Sequence, residues 1–435
     1  MLSTLTAFTA RLCSTAAGNR ALRSLLGLCA ALALGTVQAA TAPSSEPLLQ
    51  QSALTYMGAF ALPTATYGTS SFNYGGHGIT PYHDPTTGQL TLFMEGHMQN
   101  PGMVAQVVVP ASFVKSSNTS ALPMATVVQN FADVTDGKLG SLDPTNPYNT
   151  SFVYGLLAYG GRLIVGASNS YSSSQTVSQG VSGLNLSAGN DFQGWFSMSA
   201  AAPARAVGGF MTPIPSEWQA SFGGPALTGE CCISIISSTS SGPSATVFDP
   251  AAVGSKNPIP GTTVLFYPLS NAVCGAVGCE ATTNSIFNLT TRVGGMAFIP
   301  GTRTVLFIGA TGTGTYCYGT AVDCGNDTAM PDVKGPHAQP YRYQIWAYDA
   351  NDLVAVKNGA ATYSPKPYGI WVLTDMPNSG DPNIAGAGYD PQTGLLFITQ
   401  DYGPSPRVEV YQVNGGAAVT ASAAPPDPPS NVSVK

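Results

Sequence analysis

The chain spells nearly the same hairpin twice, once near each end: "HGITPYHDPTTGQLTLFMEGH" at 77–97 and "IAGAGYDPQTGLLFITQDYG" at 384–403. In both, a strand-like run enters an Asp-Pro-x-Thr-Gly turn and leaves as an apolar strand, which is hairpin chemistry. A unit repeated at such a distance points to a repeat architecture, in which each copy needs its neighbours to bury its apolar faces.

Weaker copies lie between. First strands read "GGHGITPYH" (75–83), "FVYGLLAY" (152–159), "GPALTGECC" (224–232), "VGGMAFIP" (293–300) and "IAGAGYDP" (384–391). Second strands follow as "QLTLFMEGH", "RLIVGASNS", "ISIISS", "TVLFIGATG" and "LLFITQDYG". Third strands are expected at 107–114, 246–253 and 346–353. "AVGGFMT" (206–212) is among the expected fourth strands, closing the second unit. Antiparallel four-stranded units arranged this way predict an all-β fold, a single β-propeller of five four-stranded blades. The fifth unit stops after "RVEVYQV" (407–413), while the strand "ALTYMGAFAL" (53–62) has no unit of its own. Pairing the two closes the ring and removes two sheet edges. Asp84, Asp249, Asp349 and Asp390 recur at turns and strand ends and are read as structural.

Composition agrees. Only 9% of residues are charged, against 49 Gly and 34 Pro, a balance that suits many strands and tight turns. The net charge is −6, without a Lys/Arg cluster, which excludes a nucleic-acid partner from the expectations. At the N-terminus, Arg11, Arg20 and Arg23 precede the apolar run Leu25–Leu34 and the small residues Val37 and Ala39. This is the pattern of a secretory signal peptide, too short to span a bilayer. The expected domains are therefore a signal peptide at 1–39, a lead at 40–52, the propeller at 53–415 and a Pro/Ala-rich linker or tail at 416–435. The protein is expected to be secreted or periplasmic, without a membrane span.

Six cysteines follow the signal region. An even count in an exported chain suggests disulfides. Cys274 with Cys279, and Cys317 with Cys324, would staple two loops. Adjacent Cys231 and Cys232 form either a vicinal disulfide or two separate thiols.

The hairpin register gathers rare side chains. Across the Asp84–Gly88 turn, facing residues sum to about 173, which brings His77, Glu95 and His97 to one rim of the first unit. His83, six residues along the same strand, lies about 20 Å away on the opposite face. The same rim collects Asn149, Tyr171, Arg292, Asp381, Asn383, Asp401 and Tyr402, together with Lys334 and His337 from the insertion at 311–340. Clustered rare ionisable groups mark candidate sites. His77, His97, Glu95, Arg292, Lys334 and His337 are the candidates for chemistry. Asn149, Tyr171, Asp381, Asn383, Asp401 and Tyr402 are the candidates for ligand contact.

The order "LTYMGAFALP", "YGGHG", "EGH" and "KGPHAQPYRYQIWAYDANDL" resembles secreted bacterial β-propeller proteins without an assigned activity, over most of residues 53–413. The resemblance implies fold and export and lends no catalytic residues. From the residues themselves, the first expectation is an extracellular ligand-binding propeller, with a glycan or another cell-surface ligand as its partner. A polysaccharide lyase is the alternative: β-elimination on a uronate polymer needs a cation for the carboxylate (Arg292 or Lys334), a base (His77 or His97) and an acid (a Tyr). A glycoside hydrolase needs two carboxyls about 5–10 Å apart. Glu95, Glu230, Asp381 and Asp401 are the acids near that rim. A divalent metal on His77, Glu95 and His97 stays open. "GTGTG" near residue 312 precedes no helix, so no nucleotide or flavin is expected.

Overall fold

The computed structural model describes residues 42–146, 150–232, 238–275, 279, 286–324, 334–360, 365–380, 384–400 and 406–415. The chain divides into two units, Met1–Ala42 and Pro43–Lys435, and the strands all belong to the second. The expected signal peptide and C-terminal tail lie outside the described residues.

Among the described residues the strands form sheets of eight, five, four, four and two. The sheet of eight divides at one parallel bridge, Gly295↔Ala387, into two antiparallel sets of four, so that five such sets follow one another along the chain. The chain opens with β1 (Leu54–Ala61) and then runs through the first set, β2 (Ile79–His83), β3 (Leu90–Glu95), β4 (Met103–Val108) and β5 (Thr126–Asp133). The second set is β6 (Ser151–Tyr159), β7 (Arg162–Asn169), β8 (Gln179–Gly183) and β9 (Gln193–Phe196). A short β10 (Met198–Ser199) edges the third, β11 (Met211–Pro213), β12 (Ala226–Thr228), β13 (Ala245–Phe248) and β14 (Ile259–Leu265). The fourth holds β15 (Arg292–Ile299), β16 (Thr304–Gly312), β19 (Tyr341–Asp349) and β20 (Gly369–Val372), with the hairpin of β17 (Cys317–Gly319) and β18 (Gly335–His337) inserted. The fifth comprises β21 (Ile384–Asp390), β22 (Leu395–Gln400), β23 (Arg407–Val413) and β1 itself. β1 pairs antiparallel with β23 from Leu54↔Val413 to Ala61↔Arg407. The orphan strand at 53–62 therefore does complete the last set.

Alternation of side chains explains how the sets bind one another. On a strand, neighbouring residues face opposite sides, so Phe93 packs towards the second set while Leu92 and Met94 pack towards the fifth. Phe307 likewise faces the third set, and Leu306 and Ile308 the fifth. Each successive pair of sets shares one apolar cluster, and the cluster of Phe60, Phe397 and Val408 with Leu92, Met94 and Val107 joins last to first. Burying one such Phe or Leu is worth roughly 1.5–3 kcal/mol, so these interfaces, with the β1–β23 pairing, hold the propeller together.

Turn chemistry is as expected. The Asp84 carboxylate accepts the N–H groups of Thr86 and Thr87, and Asp390 those of Gln392 and Thr393. Asp249 caps a short 3-10 turn through Ala251 N–H. Asp349 caps the helix Ala350–Lys357 through Asn351 N–H, so the third strand expected at 346–353 ends at Asp349. The third strand expected at 107–114 lies earlier, at Met103–Val108.

The third unit departs further from expectation. "GPALTGECC" forms β12, the second strand, and not the first. The first is β11, drawn from the "AVGGFMT" segment expected to close the second unit; β9 closes that unit instead. β11 and β12 are three residues each, too short for a period of two to show. Residues of the lead at 40–52 pack against the propeller. Leu49 is buried, its N–H donates to Thr304 Oγ1, and Trp218 Nε1 donates to Glu46. No helix among the described residues is long and apolar enough to cross a membrane.

Candidate functional site

The first strands of a propeller crowd its axis, which is why they are rich in glycine. At Gly386 on β21, an added Cβ would sit 2.3 Å from Gly76 O and 2.5 Å from His77 O. The backbone of His77 is thus clamped between the first and fifth sets. The ladder of β2 and β3 keeps the expected sum of 173, as in Ile79↔Met94, and continues through Glu95 N–H to Gly78 O and Gly76 N–H to Glu95 O. His77 sits between these bonds. Its backbone N–H donates to Glu95 Oε2, and its Nδ1 lies 3.3 Å from the same oxygen. The Glu95 carboxyl is fully buried, and its Oε1 has no hydrogen-bond partner among the described residues. A buried carboxyl without a full partner set is costly, and the contacts of Glu95 Oε2 are to the backbone and ring of His77.

His77 opens onto a cavity of about 500 Å³. Its walls come from the ends of strands in all five sets. β6 supplies Tyr154, whose ring meets His77 edge-on at 5.6 Å. The loop after β7 supplies Ser170 and Tyr171, and the segment after β12 supplies Glu230, Cys231 and Cys232. The entry to β15 contributes Thr290 to Gly294, including Arg292, and β21 contributes Ile384 and Ala385. The β17–β18 hairpin, in which Cys317 of β17 is bonded to Cys324 in the helical turn that follows, adds Tyr316, Tyr318, Lys334, Gly335 and Pro336.

Glu230 is the one acidic residue among the described lining. Its Oε1 accepts Cys231 N–H at 2.9 Å, while Oε2 is buried with no hydrogen-bond partner among the described residues. The neighbouring chain makes room for it: a Cβ on Gly209 would fall 2.0 Å from Oε2. Burial pushes this carboxyl up to about 8, outweighing the Cys231 N–H and the charges of His77 and Arg205, which act the other way. Arg205, also buried, is pushed down to about 10 by loss of solvent, and donates to Asn169 O and Ser170 O beneath the wall. The cavity therefore sets a carboxyl that holds its proton well above the usual carboxylate range near His77, with Arg292 and Lys334 also on its wall.

Of the residues singled out in the sequence, His77, Arg292, Lys334 and Tyr171 line this cavity, and Glu95 lies directly behind His77. His97 is not among the lining residues. Its backbone N–H donates to Ser70 Oγ, its Nδ1 accepts Gln99 N–H, and its ring packs 5.4 Å from Tyr74. The ladder breaks after Glu95, so the register that would have carried His97 beside His77 ends too soon. His337 is buried on β18 opposite Cys317 and does not line the cavity, although its neighbours Lys334 to Pro336 do. Asn149, Asp381, Asn383, Asp401 and Tyr402 lie outside the described residues. Among the described residues no group of three His, Cys, Asp or Glu side chains could hold a metal ion.

Tyr154, Tyr316 and Tyr318 are not among the residues the sequence singles out; Glu230 appears there only among the available acids, and Cys231 and Cys232 only as disulfide candidates. The six cysteines do form three disulfides, Cys231–Cys232, Cys274–Cys279 and Cys317–Cys324. The signal for the cavity wall was the run Glu-Cys-Cys after a glycine, which concentrates a carboxyl and two bonded sulfurs at one strand end.

No family model and no curated protein matches the chain. Solved structures with a similar course include the GH43 endo-arabinanase from Bacillus licheniformis, at 10% identity and a TM-score of 0.38, over 78% of this chain and 94% of that one. Another is an exo-1,5-α-L-arabinanase from a bovine ruminal metagenomic library, at 11% identity and 0.37, over 78% and 93%. A third is the catalytic domain of the Coprinopsis cinerea GH62 α-L-arabinofuranosidase, at 8% and 0.34, over 83% and 99%. Likeness this distant carries neither an activity nor a site from those proteins to this chain.

Proposed function

We propose that this is an exported propeller whose cavity binds an extracellular glycan. The observation that carries the reading is the composition of the wall. Tyr154, Tyr171, Tyr316 and Tyr318 offer aromatic faces and hydroxyls, while His77, Glu230, Arg292 and Lys334 offer a few polar contacts in a cavity of about 500 Å³. Sugars present alternating C–H faces and hydroxyl edges, which match such a mixed lining. Three disulfides support an oxidising compartment.

The test is retention on immobilised polysaccharides followed by titration with defined oligosaccharides, cellotetraose and tetragalacturonate among them. Binding of at least one, with displacement by free oligosaccharide, is expected. Failure across a panel of neutral and uronate glycans would remove the reading.

A second reading, a polysaccharide lyase, is favoured by His77 and Glu95. The imidazole has Glu95 on Nδ1 and faces a cavity that also carries Arg292 and Lys334. In this reading a cation offsets the uronate carboxylate and His77 takes the adjacent proton. The C–O bond on the neighbouring carbon then breaks, and a lining tyrosine returns a proton to the leaving oxygen. The hydrolase alternative has less behind it, since Glu230 is the single carboxyl among the described lining residues. Tetragalacturonate separates the two readings of the cavity: an ultraviolet signal from an unsaturated product means cleavage, and intact recovered oligosaccharide means binding alone.

A further inference from the structure

A disulfide ordinarily stabilises by closing a loop, and its effect grows with loop length. Cys274–Cys279 and Cys317–Cys324 close loops in this way, whereas Cys231–Cys232 joins adjacent residues and encloses none. Its effect must therefore be local. Both sulfur-bearing residues line the cavity. Cys231 is buried within the apolar cluster that includes Phe210, Phe287 and Val293, and Cys232, packed against that cluster, is partly exposed. Bonding removes two titratable thiols and leaves a rigid, polarisable apolar surface. It also fixes the Cys231 amide, whose N–H holds Glu230 Oε1 at 2.9 Å. Phe210, Phe287, Leu289 and Ile384 extend this apolar part of the wall. The tyrosines, His77 and Arg292 supply the polar partners within the same cavity.

We propose that the Cys231–Cys232 disulfide is the platform on which the apolar C–H face of a pyranose ring rests, leaving the ring's hydroxyl edge to the polar side chains of the cavity. This rests on the glycan reading above and narrows it to six-membered sugar rings. Sulfur packs well against such surfaces because it is soft and polarisable. A sugar seated there also covers the sulfurs, so the bond becomes a reporter of its own occupancy.

The test uses the full mature protein. A phosphine reductant is applied with and without saturating cellotetraose or tetragalacturonate, new thiols are alkylated, and peptides carrying Cys231 and Cys232 are followed by mass spectrometry. Cys274–Cys279 is the internal reference. A bound oligosaccharide is expected to slow reduction of Cys231–Cys232 several-fold and to leave the reference unchanged. The double variant Cys231→Ala, Cys232→Ala is expected to lose about tenfold or more in affinity, the scale of a central contact at a binding site, and to melt lower, because Cys231 is buried in the core cluster. Should that variant fail to fold, the protection measurement decides alone. An oligosaccharide that binds yet leaves reduction of Cys231–Cys232 as fast as before would overturn the platform while sparing the glycan reading. If no oligosaccharide binds the native protein, the glycan reading falls and takes this inference with it.

Discussion

The strand β2 and the residues just before it carry a histidine at each end, and the two ends behave differently. At one end His83 Nε2 meets Asp390 Oδ2 at 2.9 Å, joining the first set of strands to the fifth. Asp390 has further partners: Gln392 N–H, Thr393 N–H and the Thr393 hydroxyl. Its carboxylate is fully employed in a turn and a tie between sets. At the other end His77 meets Glu95 from its own set, and Glu95 Oε1 and nearby Glu230 Oε2 have no hydrogen-bond partner among the described residues. A histidine–carboxylate pair is thus not by itself a sign of function. What separates the two ends is unsatisfied buried polarity, which costs stability and persists where something other than stability is served.

The largest effect expected from this contrast is at Glu230. Its proton affinity in the fold is raised, from an ordinary 4.5 to about 8. Below about pH 4.5 the group is protonated in folded and unfolded chains alike and withdraws nothing. Between there and about pH 8 the unfolded chain releases the proton while the folded one keeps it, so stability falls as pH rises. A tenfold change in proton affinity is worth about 1.4 kcal/mol, so the loss across this window amounts to several kcal/mol. Denaturant melts of wild type and Glu230→Gln at pH 5 and pH 8 check this: the wild type should weaken over the interval and the variant much less. Parallel slopes would mean that Glu230 is solvated or partnered.

A smaller effect is expected at the satisfied end. Asp390→Ala removes the hydrogen bond to His83 and those of its turn, at a cost of about 2 kcal/mol, and leaves oligosaccharide binding as it was. Chemical denaturation and a binding isotherm on the same sample measure both. The least is expected from His83→Gln, which gives up a partly exposed hydrogen bond worth less than about 1 kcal/mol. A larger loss there would make the tie between first and fifth sets a main support of the ring.

The repeat was legible because the Asp-Pro-x-Thr-Gly turns and the alternating apolar strands are local signals. The closure by β1 followed from counting strands, since an odd strand at one terminus and an incomplete set at the other have one economical solution. The third set was misread because β11 and β12 are three residues each and show no period. The site was half legible. His77, Glu95, Arg292, Lys334 and Tyr171 follow from which end of a strand they occupy. His97 and His337 share that end, yet the first leaves the ladder after Glu95 and the second is buried in a hairpin. Glu230 and the Cys231–Cys232 wall gain their meaning from burial and from what packs around them, and neither quantity is written in the order of residues.

The contrast between the two ends of β2 is tested most directly by one binding experiment on two variants. Calorimetric titration of wild type, His77→Gln and His83→Gln with an oligosaccharide that the wild type binds should show affinity reduced by about tenfold or more in the first variant, or about 1.4 kcal/mol. The second should keep the wild-type affinity. Equal affinity in all three proteins, or a loss confined to His83→Gln, would contradict the assignment of the cavity at His77 as the working end of the propeller.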